Sequence, residues 1–93
     1  MTIATTKIYT TPKLNLNGTS YQSLKEEWST ARKSIMQAIH DLHSATCHGR
    51  DFQCQEPGTW LKAQAEKHEV LAYMDDALVL TTQWLSSIEE QRS

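Results

Sequence analysis

Residues 21–42 read YQSLKEEWSTARKSIMQAIHDL, and their spacing decides the fold. Tyr21, Leu24, Trp28, Ala31, Ile35, Ala38 and Leu42 recur in alternating steps of three and four. That is a heptad seam, the signature of an α-helix that buries one stripe against another helix. Met36 and Ile39 widen the stripe. Just upstream, Thr19 with Gln22 three residues later fits a capping box, in which each side chain satisfies a backbone N–H at the helix start. The pattern predicts a first helix over about 20–45, roughly 39 Å long at the usual rise.

A second seam lies downstream. Leu71, Met74, Leu78, Thr81, Leu85 and Ile88 repeat the same steps, and Val70, Ala77 and Trp84 form a parallel row one residue earlier. The second helix is expected over about 58–90, starting between 56 and 60, where either Pro57 occupies the first turn or Thr59 caps it. An apolar band two residues wide exceeds what one partner helix covers. An N-terminal arm or a second copy of the chain would cover the rest, which makes Val70, Ala77 and Trp84 the expected oligomer interface.

Residues 1–18 read as that arm. Thr5, Thr6, Ile8, Tyr9, Thr10 and Thr11 are poor helix formers, Pro12 breaks a helix, and Asn15, Asn17 and Gly18 favour turns. Leu14 and Leu16 alternate with asparagines, which predicts an extended segment with one buried face. The expected fold is therefore all-α: a long antiparallel two-helix hairpin (19–90) with an extended N-terminal arm, assembling into an oligomeric helical bundle. A loop over about 46–57 joins the helices, with Gly49 as the expected terminator of the first.

Ninety-three residues make one domain at most, with a thin core of its own. Disulfides, a metal or oligomerisation commonly make up such a shortfall. The net charge of −2 argues against a general nucleic-acid binder. Charge is uneven, however: residues 1–50 carry six Lys/Arg against three acids, and residues 51–93 three against eight. Either two helices of opposite sign attract each other, or the basic half receives a small anion. No run approaches the roughly 18 apolar residues of a membrane span. Residues 1–6 lack the charged and apolar regions of a secretory signal, and two cysteines without a signal suggest free thiols in the cytoplasm.

The loop holds the densest set of reactive side chains, and long ordered loops tend to carry function. His43, Cys47, His48 and Cys54, with His40 a turn earlier, offer nitrogen and sulfur ligands but match no established zinc spacing. Zinc, free thiols and a Cys47–Cys54 disulfide all stay open, and no metal is assigned. Asp75 and Asp76 point about 100° apart on a helix, no nucleophile has a paired base, and no cofactor motif occurs, so the chain is not expected to be an enzyme. Trp28 belongs to the core, whereas Trp60 either caps the bundle or stacks on a planar ligand. Arg50 and Asp51 serve the loop backbone in one reading. In the other, Arg50 offers a fork for phosphate and Phe52 or Tyr9 a ring for a base.

Two segments carry a resemblance: Leu16-Asn17-Gly18-Thr19-Ser20 before the first helix, and His48-Gly49-Arg50-Asp51-Phe52 at the turn. Followed by Pro57-Gly58 and a long helix, the pair resembles small helical-hairpin proteins of bacteriophages and prophages. The layout over roughly residues 8–90 is similar to the hairpin domain of anti-CBASS and anti-Thoeris sponge proteins. Those proteins assemble into oligomers and sequester cyclic nucleotide-type immune signals without cleaving them. The resemblance implies a phage anti-defence protein in the cytoplasm of the infected bacterium, with a small anionic nucleotide ligand held between protomers. It implies Tyr9 as a stacking ring, Lys25, Arg32 and Arg50 as phosphate partners, and His48, Asp51 and Phe52 as the remaining ligand-binding residues. Phe52 stands where the family's loop aromatic carries a hydroxyl. Neither membrane nor nucleic acid is an expected partner. The alternative is a helical interaction module that inhibits or scaffolds a host or phage protein. A purely structural bundle and a metal-responsive regulator are further readings, the last opposed by the lack of a basic recognition helix.

Overall fold

The computed structural model describes residues 7–92. What was expected of residues 1–6 lies outside them. Two α-helices follow one another, α1 (Tyr21–Ser44) and α2 (Thr59–Gln91), with a single 3-10 turn (Gly49–Phe52) between them. Among the described residues there is no strand, and no helix is long and apolar enough to cross a membrane.

The helices run antiparallel. Tyr21 of α1 meets Glu89 of α2, Arg32 meets Thr82, and Lys67 reaches the end of α1 at His43. Midway, Trp28 and Trp84 stack with ring centroids 3.9 Å apart and planes 11° from parallel. Such a pair contributes about 0.5–1.5 kcal/mol beyond its buried area. The α2 seam is as its spacing predicts: Ile88 is fully buried, Thr81 nearly so, and Leu71, Met74, Leu78 and Leu85 are half-buried. The α1 seam drifts. Ala31 and Ala38 are exposed, while Arg32 and Ile39 take their places beside α2. A straight helix slips about 20° per heptad against a 3.5-residue repeat, and a methyl group cannot reach across to restore contact.

Three local expectations change. Ser20, not Thr19, caps α1: its hydroxyl accepts from the Ser23 N–H at 3.2 Å, and Gln22 instead donates to Glu26 one turn on. Gly49 does not end α1. The helix stops at Ser44, where the Ala45 N–H bonds Asp41 and Leu42 carbonyls and the Lys67 ammonium holds the carbonyls of His43 (3.3 Å) and Ala45 (2.6 Å). A cation there satisfies orphan carbonyls and the negative end of the helix dipole. Thr59 opens α2 rather than capping it. Gly58 holds the cap position at φ +90°, a left-handed conformation that favours glycine.

The arm lies along α2, but only part of it is covered. Leu14 is half-buried, whereas Leu16 is wholly exposed and Ile8 is 87% exposed. The alternation fails because Asn15 makes a side-chain turn. Its Oδ1 accepts from the Asn17 N–H and its carbonyl from the Gly18 N–H, which reverses the chain and throws Leu16 outward. The molecule measures 61 × 26 × 17 Å, and its radius of gyration is 18.5 Å, against about 12 Å for a compact chain of this length. Ile88 is the only apolar residue that is buried among those described.

Candidate functional site

The residues singled out for binding fall into two separate groups, one at the turn and one in the half of the hairpin that begins at the N-terminus of α1. At the turn, His48 acts as a cap: its Nδ1 accepts from the Arg50 N–H at 3.2 Å and its carbonyl from the Asp51 N–H at 3.0 Å. That is the backbone role considered for Asp51, whose carboxylate makes neither a hydrogen bond nor an ion pair with any described residue. Nor does the Arg50 guanidinium, which is exposed. Trp60 packs under the turn. Its indole N–H donates to the Cys47 carbonyl at 3.2 Å, and its ring lies 3.5 Å from where a Cβ on Gly49 would stand. Trp60 thus caps the bundle end, and Phe52 beside it is half-buried.

Cys47 and Cys54 are free thiols. His43, Cys47 and His68 line one small pocket of about 180 Å³ together with Gln64, Lys67 and Leu71. Among the described residues, no three His, Cys, Asp or Glu side chains converge as a metal site.

At the other end two glutamines of α2 grip the arm. The Gln83 amide accepts from the Tyr9 N–H and donates to the Lys7 carbonyl, both at 2.7 Å. Eight residues on, the Gln91 amide accepts from the Leu14 N–H at 2.8 Å and donates to the Pro12 carbonyl at 2.9 Å. Each amide presents one acceptor and one donor, as a neighbouring β-strand would, so the arm is held by backbone alone. The Lys7 ammonium sits 4.9 Å from the centre of the Tyr9 ring.

Lys25 and Arg32 follow along α1. Lys25 lies 3.5 Å from the Glu89 carboxylate, which also accepts a 2.8 Å bond from the Tyr21 hydroxyl. The Tyr21 bond is the main cause that holds the Glu89 carboxyl below its ordinary value; desolvation opposes it, and Lys25 and Arg92 add smaller lowering effects. Arg32 donates from Nε to Thr82 Oγ1 at 3.0 Å and from its terminal nitrogen to the Met36 sulfur at 3.3 Å. No carboxylate pairs with it among the described residues.

Gln83, beside Tyr9, and Thr59, where α2 leaves the turn, are 24 residues apart, about 36 Å along the helix. One protomer therefore cannot bring Tyr9 and Arg50 to one small ligand. Of the expected interface row, Val70 is 49% exposed and Ala77 half-buried, but Trp84 turns inward to stack on Trp28. Its indole N–H is buried without a partner. Met36, Leu61 and Tyr73 are further exposed apolar side chains, and Met36, Ile39, His40, His43, Ser44 and Leu78 border an open groove of about 470 Å³. The two glutamine clamps escaped the sequence reading, because a glutamine on a polar helix face looks like any solvated residue. No known protein family, curated protein or solved structure matches the chain.

Proposed function

We propose that this chain is a non-enzymatic binding protein that assembles from several copies and sequesters a small anionic ligand of the cyclic-nucleotide type. In this reading it is a phage anti-defence protein acting in the cytoplasm of the infected bacterium, and it holds the immune signal without cleaving it. The observation that carries the reading is the pair of guanidinium groups without carboxylate partners among the described residues, Arg32 midway along α1 and Arg50 at the turn. A cyclic nucleotide needs two or three charge-assisted bonds and a ring to stack on, and a protein of net negative charge can supply them locally. The two ends of one hairpin are too far apart to share such a ligand. A pocket made from Tyr9, Lys25 and Arg32 of one copy and His48, Arg50, Asp51 and Phe52 of another would meet the requirement.

Assembly has its own physical support. The chain exposes 7464 Å², against roughly 5,500 Å² for a compact monomer of its mass, an excess on the scale of a standard protein interface. Thermal-shift screening against cyclic dinucleotides, cyclic trinucleotides and cyclic ADP-ribose isomers tests the proposal. Stabilisation by one class is expected, with Arg32→Ala and Arg50→Ala each abolishing it. A flat response across the panel would overturn it.

The second reading is a module that docks on a host or phage protein. Exposed Met36, Val70 and Tyr73 favour it, as apolar groups that α1, α2 and the arm leave uncovered. It predicts that Val70→Asp abolishes capture of a stoichiometric partner protein while Arg50→Ala does not.

A further inference from the structure

We infer that the arm is an open strand edge which pairs, antiparallel, with the arm of a second copy of the chain. Lys7-Ile8-Tyr9-Thr10-Thr11 consists largely of β-branched and aromatic residues, the composition of a strand. One side of this segment faces α2 and is held in strand fashion at two groups, the Lys7 carbonyl and the Tyr9 N–H, by the Gln83 amide. In an extended run the groups between them face the other way. Neither the N–H nor the C=O of Ile8 or Thr10 makes a hydrogen bond with any described residue, and the Ile8 side chain is 87% exposed. An unpaired edge of this kind is a template for strand addition.

A second copy is the occupant that the edge itself specifies. Ile8 and Thr10 flank Tyr9 symmetrically. A two-fold axis through the Tyr9 pair sets Ile8 of one arm opposite Thr10 of the other, forming four backbone hydrogen bonds. The same register places Lys7 opposite Thr11, so no lysine faces a lysine. Pro12 lacks an N–H and ends the ladder, and α2 with its Gln83 amide occupies the opposite edge of each arm, which makes a closed dimer rather than a growing sheet. The apolar Ile8 side chains would be shielded in the pairing, and among the described residues Ile88 is the one buried apolar side chain. The ribbon needs no nucleotide and stands apart from the ligand reading.

Amide exchange and sedimentation of the full chain without ligand test the proposal. The Ile8 and Thr10 amides are expected to become more protected between 10 µM and 1 mM protein, at least tenfold. Thr10→Pro removes one donor but leaves the Gln83 clamp its partners, and it is expected to halve the sedimenting mass with helical content unchanged. Thr10→Ser keeps the N–H and is expected to keep the mass. Concentration-independent exchange at Ile8 and Thr10 in the unaltered chain would overturn the proposal, whatever the proline variant does. So would a Thr10→Pro chain of undiminished mass whose Tyr9 amide remains protected.

Discussion

Replacing Gln83 by alanine should free the first part of the arm and little else. The Gln83 amide makes two hydrogen bonds of 2.7 Å to the arm backbone, one in each direction. A typical intramolecular hydrogen bond contributes about 0.5–1.5 kcal/mol net, so the clamp holds the arm by about 1–3 kcal/mol. That range corresponds to roughly a 5- to 150-fold change in the population of the undocked arm. Native-state hydrogen exchange reads it directly: the Tyr9 amide should exchange faster by that factor in Gln83→Ala. Leu14, held separately by Gln91, should change far less, and the amides around Trp28 and Ile88 not at all. Gln83→Glu should fall between, because a carboxylate still accepts from the Tyr9 N–H but has no proton for the Lys7 carbonyl. Unchanged exchange at Tyr9 in Gln83→Ala would refute the clamp. An equal acceleration at Tyr9, Trp28 and Ile88 would refute its local character.

Trp28→Ala removes half of a half-buried indole stack in a hairpin whose one fully buried apolar side chain among the described residues is Ile88, and should cost up to about 3 kcal/mol in urea denaturation followed by circular dichroism. Gly58→Ala meets no neighbouring atom but forces a Cβ into a left-handed backbone, so a loss of about 1–2 kcal/mol is expected in the same assay. The folded state lowers the Glu89 carboxyl, chiefly through Tyr21, so its contribution to stability is present above the unfolded glutamate value and lost as pH falls through the folded one. The effect on stability should be small, because both partners are exposed and solvent screens them. Carboxyl NMR should show Glu89 titrating below the ordinary glutamate range, and Tyr21→Phe moving it upward.

The two helices were legible because each seam repeats over about three heptads, and long periodic patterns outlast local exceptions. The α2 seam survived intact, since Leu71, Leu78, Leu85 and Ile88 are large enough to reach their partners wherever the helix drifts. Ala31 and Ala38 fit the heptad count but carry too little side chain to hold α1 in register. Trp84 looked like outward-facing surplus only because the row it shares with Val70 and Ala77 was counted without its partner. The Trp28 ring draws it inward. At the turn, glycine and cap residues marked that a connection exists but not its shape. His48 and Lys67 perform the capping that Asp51 and Gly49 were expected to perform, because each cap depends on which backbone group comes within reach. The arm was recognised from its threonines and Pro12. Its attachment was hidden, since Gln83 and Gln91 act through amide geometry rather than any periodic signal. Tyr9, Lys25 and Arg32 fall along one half of the hairpin, and His48, Arg50, Asp51 and Phe52 at the turn. That division could not be read before the 61 Å length of the hairpin was known.

Capture without turnover by an assembly of chains separates a sponge from an enzyme and from a lone docking module. The most direct measurement is equilibrium binding of the responding cyclic nucleotide to the purified protein, with sedimentation of the complex and mass spectrometry of ligand recovered after denaturation. Saturable binding to an oligomer is expected, with chemically intact ligand returned in full. A monomer that binds nothing, or recovery of linear or hydrolysed nucleotide, would contradict it.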